Sequence, residues 1–556
     1  MTQESQPQEE ARQSRELSRA DRIASWFLPN PGDILFMLIV WFLLWVRPSF
    51  VFGDGSTGWH IATGDFILKN GVPTKDFLSY TFPDKAWVAY EWLSDAIMAT
   101  FVKFANGNLD WLGVCVICSV AALMMMLYER CRREGANFPF AFFLVIVGTM
   151  VSAIHWLARP HIFTFFGVYF FSIYLEDFWS GKLSGKQLLL RLSLIAVLWV
   201  NVHPAFMFAF ALTGIYFASA LFSAAFTFKT SAFAAYTGKV KVYFSLLFAC
   251  AVATLINPYG LKLHAYLVDY FKGTPGLADV TNEFLSPVFH GGFQPVCLEI
   301  LIGLLLVGLG LSRTRLSLPR LLMAVAFLHL TLSAVRNMPL FVLVILPIIS
   351  QLSSKTALSE MLLPSSEESK TWFHSLNQKW VKLDQGFYEN EMLCGKHMVP
   401  LVFFLFLSVA ALNGGQLLGT QILKTGWSVE DKPTATIDYL RQELDNKKLD
   451  PERGFNYDNW GGYLGYKLKR RVSLDDRAEF FGAPYYFKYT VIAQNQPGWK
   501  EQLDGGFFKD TAKSGTSVQW VLMPKGSDLG HSLATDPNWG PAVKADHASE
   551  LFVRKN

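Results

Sequence analysis

The sequence predicts a polytopic α-helical membrane protein of about 11 transmembrane helices that ends in a soluble α/β domain. Three observations predict it. Only 17% of the 556 residues are charged and 51% are apolar, with 48 Phe; soluble domains carry roughly a quarter charged residues. The apolar residues gather into runs near the length of about 20 that a bilayer-spanning helix needs. From about residue 414 that texture stops, and short β-like runs punctuated by glycine begin. The composition excludes a soluble, disordered or fibrous chain. A net charge of +4 gives no footprint for nucleic acid. Six Cys, lying in or beside apolar runs (Cys394 just before the last), imply no disulfide framework.

The apolar runs are approximately 31–48, 108–128, 138–155, 162–179, 187–201, 204–226, 240–256, 295–312, 318–335, 338–353 and 397–413. Residues 1–30 are polar and carry Arg12, Arg15, Arg19 and Arg22, and no small-residue cleavage site follows the first run. That run reads as a retained helix. Basic residues orient the chain. Alternate loops hold Arg130, Arg132 and Arg133; Lys182, Lys186 and Arg191; Lys229, Lys239 and Lys241; Arg313, Arg315 and Arg320; and Lys355. The intervening turns are poorer, with Arg159 and Arg336. This places the N-terminus in the cytoplasm and the tail, 414–556, outside. The transmembrane domain is then 31–413, with outer loops 49–107 and 257–294. An inner loop, 354–396, carries Trp372, Phe373 and Trp380 and suits the membrane surface.

In the tail, Ile437, Leu440 and Leu444 recur at helical spacing and predict a helix over 433–444. Strands are expected at 471–474, 518–523 and 551–553. No tandem repeat is visible.

The sidedness of the polar residues points to a site. Asp54, His60, Glu91, His155, Arg159, His161, Asn201, His203, Asn257, Glu283, Arg336 and Asn337 all fall at outer helix ends or in outer loops. The inner ends show mainly Lys and Arg. Ionisable groups at membrane depth are costly and mark function, so one outward-facing polar cavity is the simpler reading. Blander roles stand beside it. Arg159 and Arg336 can neutralise Glu91 or Glu283, Asp54 and Asp65 can cap helices, and Asn257-Pro258-Tyr259-Gly260 reads as a helix stop and turn. Asp475, Asp476, Arg477 and Glu479 read as a salt-bridge cluster docking the tail.

The first outer loop is dense: Asp54, Trp59-His60, Gly64, Val72-Pro73, Asp76, Ser79, Trp87 and Glu91-Trp92-Leu93. Later come Ala158-Arg159-Pro160-His161, Asn201-Val202-His203, Asn282-Glu283-Phe284-Leu285-Ser286-Pro287, Arg336-Asn337, Asn459-Trp460-Gly461-Gly462-Tyr463-Leu464 and Asp475-Asp476-Arg477-Ala478-Glu479. These residues resemble a group of bacterial polytopic membrane proteins whose first outer loop reads D-x-D-x-W-W-H. That group is similar to the GT-C glycosyltransferase superfamily, which transfers sugars from polyprenyl-phosphate carriers at the outer membrane face. Here Ser56 replaces the second Asp and Gly58 the first Trp.

The resemblance implies a bacterial inner-membrane enzyme with a polyprenyl-phosphate sugar donor, and a glycan, lipid or protein acceptor. Membrane lipid is its other partner, and nucleic acid is not one. Such transfer needs a base and something positive beside the leaving phosphate. Asp54 is the first choice for base, with Glu91 and Glu283 in reserve. Arg159 and Arg336 suit the phosphate. His60, His155, His161 and His203, with Asn201 and Asn337, would bind substrate. A divalent metal stays open beside no cofactor at all: the His lack His-x3-His spacing, and a hard cation prefers carboxylates. Two other functions compete. If the second Asp of the motif is essential, Ser56 leaves a non-catalytic scaffold of an envelope glycan machine. A lipid or solute transporter would show a repeat and polar residues at mid-membrane.

Overall fold

The computed structural model describes residues 19–273, 282–354 and 396–555, with 375, 379–380, 382–389, 391, 393 and 394 between the last two. Among the described residues, seven helices are long and apolar enough to cross a membrane: Ile23–Val46, Asp110–Arg133, Phe138–His155, Gly185–Val202, Pro204–Phe226, Phe293–Leu311 and Val335–Ser353. Leu318–Ser333 and Met398–Leu412 are apolar but shorter. The runs at 162–179 and 240–256 fold as His161–Trp179 and Phe233–Ala253. Every apolar run is thus a helix, and the chain is a multi-pass membrane protein.

Helix starts follow their caps. Asn30 Oδ1 accepts from the Asp33 N–H at 2.8 Å, and the Asp33 carboxylate accepts from the Asn30 N–H at 3.0 Å. This reciprocal box, with Pro31 at the first helical position, fixes the first span. Met338–Ser353 is buried along almost its whole length and forms the centre of the bundle. Asp110, at the start of its helix, accepts from Thr425 N–H (2.6 Å) and hydroxyl (3.0 Å). That contact marks the end of the bundle facing the tail.

At the opposite end the acid–base balance differs from expectation. Basic residues predominate in sequence there, yet many are buried in ion pairs. Arg130 meets Glu134 at 2.6 Å and Asp177 at 3.1 Å, and Arg320 meets Glu134 at 2.6 Å and Glu176 at 3.2 Å. His397 bridges Asp33 at 2.7 Å and Glu129 at 2.8 Å. The two ends therefore differ in size of opening: compact pairs surround a cavity of about 130 Å³ here, against about 410 Å³ at the tail end. Of the expected surface segment 354–396, Trp372 and Phe373 lie outside the described residues, and Trp380 is exposed.

The first loop folds into two helices, Thr57–Asn70 and Trp92–Phe104. They cross closely because residue 64 is glycine: a Cβ there would lie 1.9 Å from the Asp95 carbonyl oxygen.

The tail opens with a hairpin, β1 (Gln416–Leu417) and β2 (Thr420–Gln421). Its sheet has the order β3-β4-β6-β5, with β3 Gly454–Asn456, β4 Trp520–Pro524, β5 Lys544–Ala545 and β6 Ser549–Val553. β3 runs parallel to β4, and β6 pairs antiparallel with both β4 and β5. The expected helix forms as Thr434–Asp445. The expected strand at 471–474 is not in the sheet. Its backbone pairs instead with the first loop: Tyr80 N–H donates to Val472 O at 3.1 Å and Val472 N–H to Leu78 O at 3.0 Å.

Two further contacts lock the tail to that loop. Arg477 is fully buried and donates to Asp475 and to Asp76 at 2.8 Å each. Helix Thr57–Asn70 also lies against helix Asp458–Leu468 with Gly58 facing Gly462. Position 58 has no room for any side chain, since even a Cβ would sit 2.2 Å from the Gly462 carbonyl oxygen.

Candidate functional site

Short 3-10 turns gather at the tail end of the bundle: Phe50–Phe52, Ala153–His155, Pro204–Phe206, Asn282–Phe284 and Val335–Asn337. Each lies at or beside an expected polar residue. Such turns re-aim side chains where an α-helix stops. Here they bring Glu283, Arg336 and His203 to one cavity of about 410 Å³, between the bundle, the first loop and the tail.

The cavity has two characters. Its polar wall includes Glu91, Arg159, His203, Glu283, Arg336 and Asn337. The tail adds Asp476, Arg477 and Glu479. The other wall is apolar, with Met207, Phe208, Ala211, Leu267 and Phe284.

Glu91 stands at the N-cap position of helix Trp92–Phe104, makes no capping bond with its side chain, and is only 8% exposed. His203 Nε2 stands 3.3 Å from its carboxylate, and His60 Nδ1 3.9 Å. Burial pushes the Glu91 carboxyl up to about 8, with Arg159 and Arg336 opposing and Glu479 and Asp476 adding to the rise. Arg159 and Arg336 converge on Glu283 at 3.8 and 3.7 Å. Burial pushes the Glu283 carboxyl up, but the two guanidiniums outweigh it and hold it below its ordinary value.

Asp54 does not line the cavity. It accepts from the Ser56 N–H at 3.1 Å and from the Ser56 hydroxyl, and Arg159 Nε lies 3.4 Å away. Burial raises its pKa, yet Arg159 and Ser56 outweigh that and leave Asp54 below the ordinary carboxylate value. A carboxylate held in this way is a poor base and a firm anchor for Arg159. Ser56 therefore holds Asp54 as Asp54 holds Arg159.

Four other expected ligands sit behind the cavity wall. His60 bonds Asp95 at 2.7 Å and stacks on Trp59, ring centroids 3.6 Å apart. His161 Nε2 donates to the His155 carbonyl at 2.5 Å. His155 lies 3.9 Å from Glu283 and faces the site only through it. Asn201 is used up in packing: it donates to Val197 O and Ile256 O at 2.8 Å each and accepts from Trp92 Nε1 at 2.9 Å. Asn337 lines the cavity while donating to Leu330 O at 2.9 Å.

The acidic tail wall is what the sequence reading missed. Of the Asp475–Glu479 group, Asp475 and Arg477 form the ion-paired part of the docking cluster, while Asp476 and Glu479 dock by hydrogen bonds and also line the cavity. Trp59 Nε1 donates to Asp476 at 2.8 Å, and the Tyr90 hydroxyl donates to Glu479 at 2.8 Å. Burial, reinforced by Asp54, pushes the Asp476 carboxyl far up, and burial raises Glu479. Asp95, whose acidity burial also suppresses, was equally invisible. Its only signal is the Asp four residues after Glu91, one helical turn on. Among the described residues, no group of three or more His, Cys, Asp and Glu is arranged to hold a metal ion.

No protein-family model matches the chain, and no curated protein matches it. Among solved structures, the chain is similar to the archaeal oligosaccharyltransferase AglB of Archaeoglobus fulgidus in complex with an inhibitory peptide and a dolichol-phosphate. The TM-score is 0.52 at 11% identity, covering 89% of this chain and 69% of that one. A second structure of an Archaeoglobus fulgidus oligosaccharyltransferase, in the apo form, gives a TM-score of 0.51 at 12% identity with the same coverage of 89% and 69%. The chain is thus a multi-pass membrane protein, mostly helical with an α/β C-terminal region, that shares the fold of these oligosaccharyltransferases.

Proposed function

We propose that this protein is a membrane glycosyltransferase that moves a sugar from a polyprenyl-phosphate carrier to an acceptor hydroxyl inside the cavity. The observation that carries the proposal is the cavity's two-sided character. A pair of guanidiniums faces a buried carboxylate, and an apolar wall continues along helix Met207–Phe226. Arg159 and Arg336 take the phosphate, and the apolar wall takes the first isoprene units. Guanidinium forks match phosphate oxygens, and their fixed charge stabilises the leaving group as its negative charge grows.

Glu91 is the base. The acceptor oxygen bonds to the anomeric carbon while the bond from that carbon to the phosphate oxygen breaks. The acceptor proton passes to Glu91, and the polyprenyl phosphate leaves against Arg159 and Arg336. Asp54 and Ser56 hold Arg159 in place. Glu283 sits between the two guanidiniums and gives way to the incoming phosphate.

In this reading the protein resides in a bacterial inner membrane. Residues 1–30 lie in the cytoplasm, 31–413 form the membrane domain, and 414–556 lie outside with the acceptor, a glycan, lipid or protein. The shared fold with a protein captured with a dolichol-phosphate supports a lipid carrier. The roles of Ser56 and Gly58 weigh against a scaffold that has lost its chemistry, since each departure from the motif is filled by a contact.

Transfer in proteoliposomes tests the proposal. Purified protein, Glu91→Gln and Asp54→Asn would receive radiolabelled polyprenyl-phosphate sugars with a crude envelope acceptor. Label should move with the wild type, fall about 10²–10⁴-fold in Glu91→Gln, and fall less in Asp54→Asn. Equal transfer by Glu91→Gln, or none from any donor by folded wild type, would overturn it.

A further inference from the structure

Behind His203 lies a chain of donors that no cavity residue explains. The Trp199 indole N–H donates to Thr164 Oγ1 at 2.9 Å. Thr164 Oγ1 stands 2.8 Å from His203 Nδ1. The Ala205 backbone N–H donates to that same Nδ1 at 3.2 Å. On the far side of the ring, His203 Nε2 faces Glu91 Oε1 at 3.3 Å.

The donor inventory fixes the direction of every bond. An indole N–H and a backbone N–H only donate. Thr164 Oγ1 accepts from Trp199, so its own proton is free to point at His203. Nδ1 receives two donors and is the unprotonated nitrogen. The imidazole proton then sits on Nε2, directed at the Glu91 carboxylate. Trp199 and Thr164 are 2% and 3% exposed and do not line the cavity. The indole is also clamped: a Cβ on Gly167 would come within 2.6 Å of its ring.

We infer that Thr164 is a positioning residue, which sets the tautomer and aim of His203 and through it orients the Glu91 carboxylate toward the acceptor proton. The inference rests on Glu91 being the base. It is the logic by which buried partners orient first-contact groups elsewhere.

Thr164→Val keeps the shape and removes the hydroxyl. It strands the Trp199 N–H and takes one of two donors from Nδ1, so Nε2–H is held less firmly on Glu91. The expected result is kcat down about tenfold, KM for the lipid donor unchanged within about twofold, and a pH–rate midpoint moved upward. Thr164→Ser should restore all three. His203→Gln supplies an amide N–H that has no tautomer to set, so adding Thr164→Val in that background should change little. A wild-type pH midpoint and kcat in Thr164→Val, or no rescue by Ser, or an undiminished effect in the His203→Gln background, would overturn the inference while leaving Glu91 as base. Full activity in Glu91→Gln would remove the base itself, and the inference with it.

Discussion

Replacing Gly58 by Ala should undock the tail without touching any polar group of the cavity. The added Cβ would stand 2.2 Å from the Gly462 carbonyl oxygen and 2.8 Å from the Tyr463 nitrogen. Both are backbone atoms, so no side chain can rotate away. Ordinary contact begins near 3.4 Å, so one helix must retreat by about 1 Å. Overpacking of this kind costs about 1–3 kcal/mol. Helix propensity returns little, because Gly58 is only the second residue of its helix. The undocked population should therefore grow roughly 5- to 150-fold. Hydrogen exchange of the amides in 458–468 would report it, and sugar transfer should fall as Asp476 and Glu479 leave the cavity. Gly214→Ala is the matched control, since nothing lies within 4 Å of a Cβ there. Exchange in Gly58→Ala as slow as in wild type would refute the claim that backbone contact between these glycines holds the tail down.

As the proposed base, Glu91 should set the pH dependence of transfer. With its pKa near 8, the carboxylate is about a tenth ionised at pH 7 and about nine-tenths at pH 9. Transfer should rise roughly tenfold across that interval, and a rate flat in pH would exclude Glu91 as base. The same shift has a stability sign. A carboxyl whose folded pKa is raised contributes stability that is full below its unfolded value of 4.5 and lost as pH rises toward 8. Melting temperature should therefore be higher at pH 6 than at pH 9, and Glu91→Gln should flatten the difference. Arg477→Ala leaves Asp475 and Asp76 buried without a cation; the loss should be about 3–5 kcal/mol by chemical denaturation, and near-wild-type stability would contradict the pairing. Arg336→Lys retains charge but loses the fork. It should raise KM for the lipid donor at least several-fold, whereas an effect on acceptor KM alone would place the phosphate elsewhere.

The helices are legible because hydropathy is a local property, and every apolar run folds as one. Their ends are set by capping and tertiary contact. Phe233–Ala253 begins well before the apolar run at 240, carrying Lys239 and Lys241 within it. The site is legible to the extent that charge in apolar surroundings is costly: Glu91, Arg159, Glu283 and Arg336 stand out for that reason. Roles that depend on backbone partners are not. Asn201 looks like a ligand until its bonds to two carbonyls and an indole are seen. Asp54 looks like a base until the Ser56 hydroxyl is seen bound to it. The acidic wall depends on pairs such as Trp59 with Asp476, 417 positions apart, which no periodicity records.

That separation also has a consequence in time. Glu91 and Asp476 are 385 positions apart in the chain. At about 5–20 residues per second, roughly 20–80 s pass between the synthesis of the two walls. The guanidinium pair is complete only at Arg336, 140 positions before Asp476, so for roughly 7–28 s of that interval it stands with its apolar wall but without the acidic cover. If the proposed carrier is the ligand, its phosphate should be able to bind the unfinished bundle while its sugar meets no closed cavity. Under the proposed function, carrier capture should therefore precede assembly, and transfer should begin only when the tail, 414–556, has folded down over the cavity.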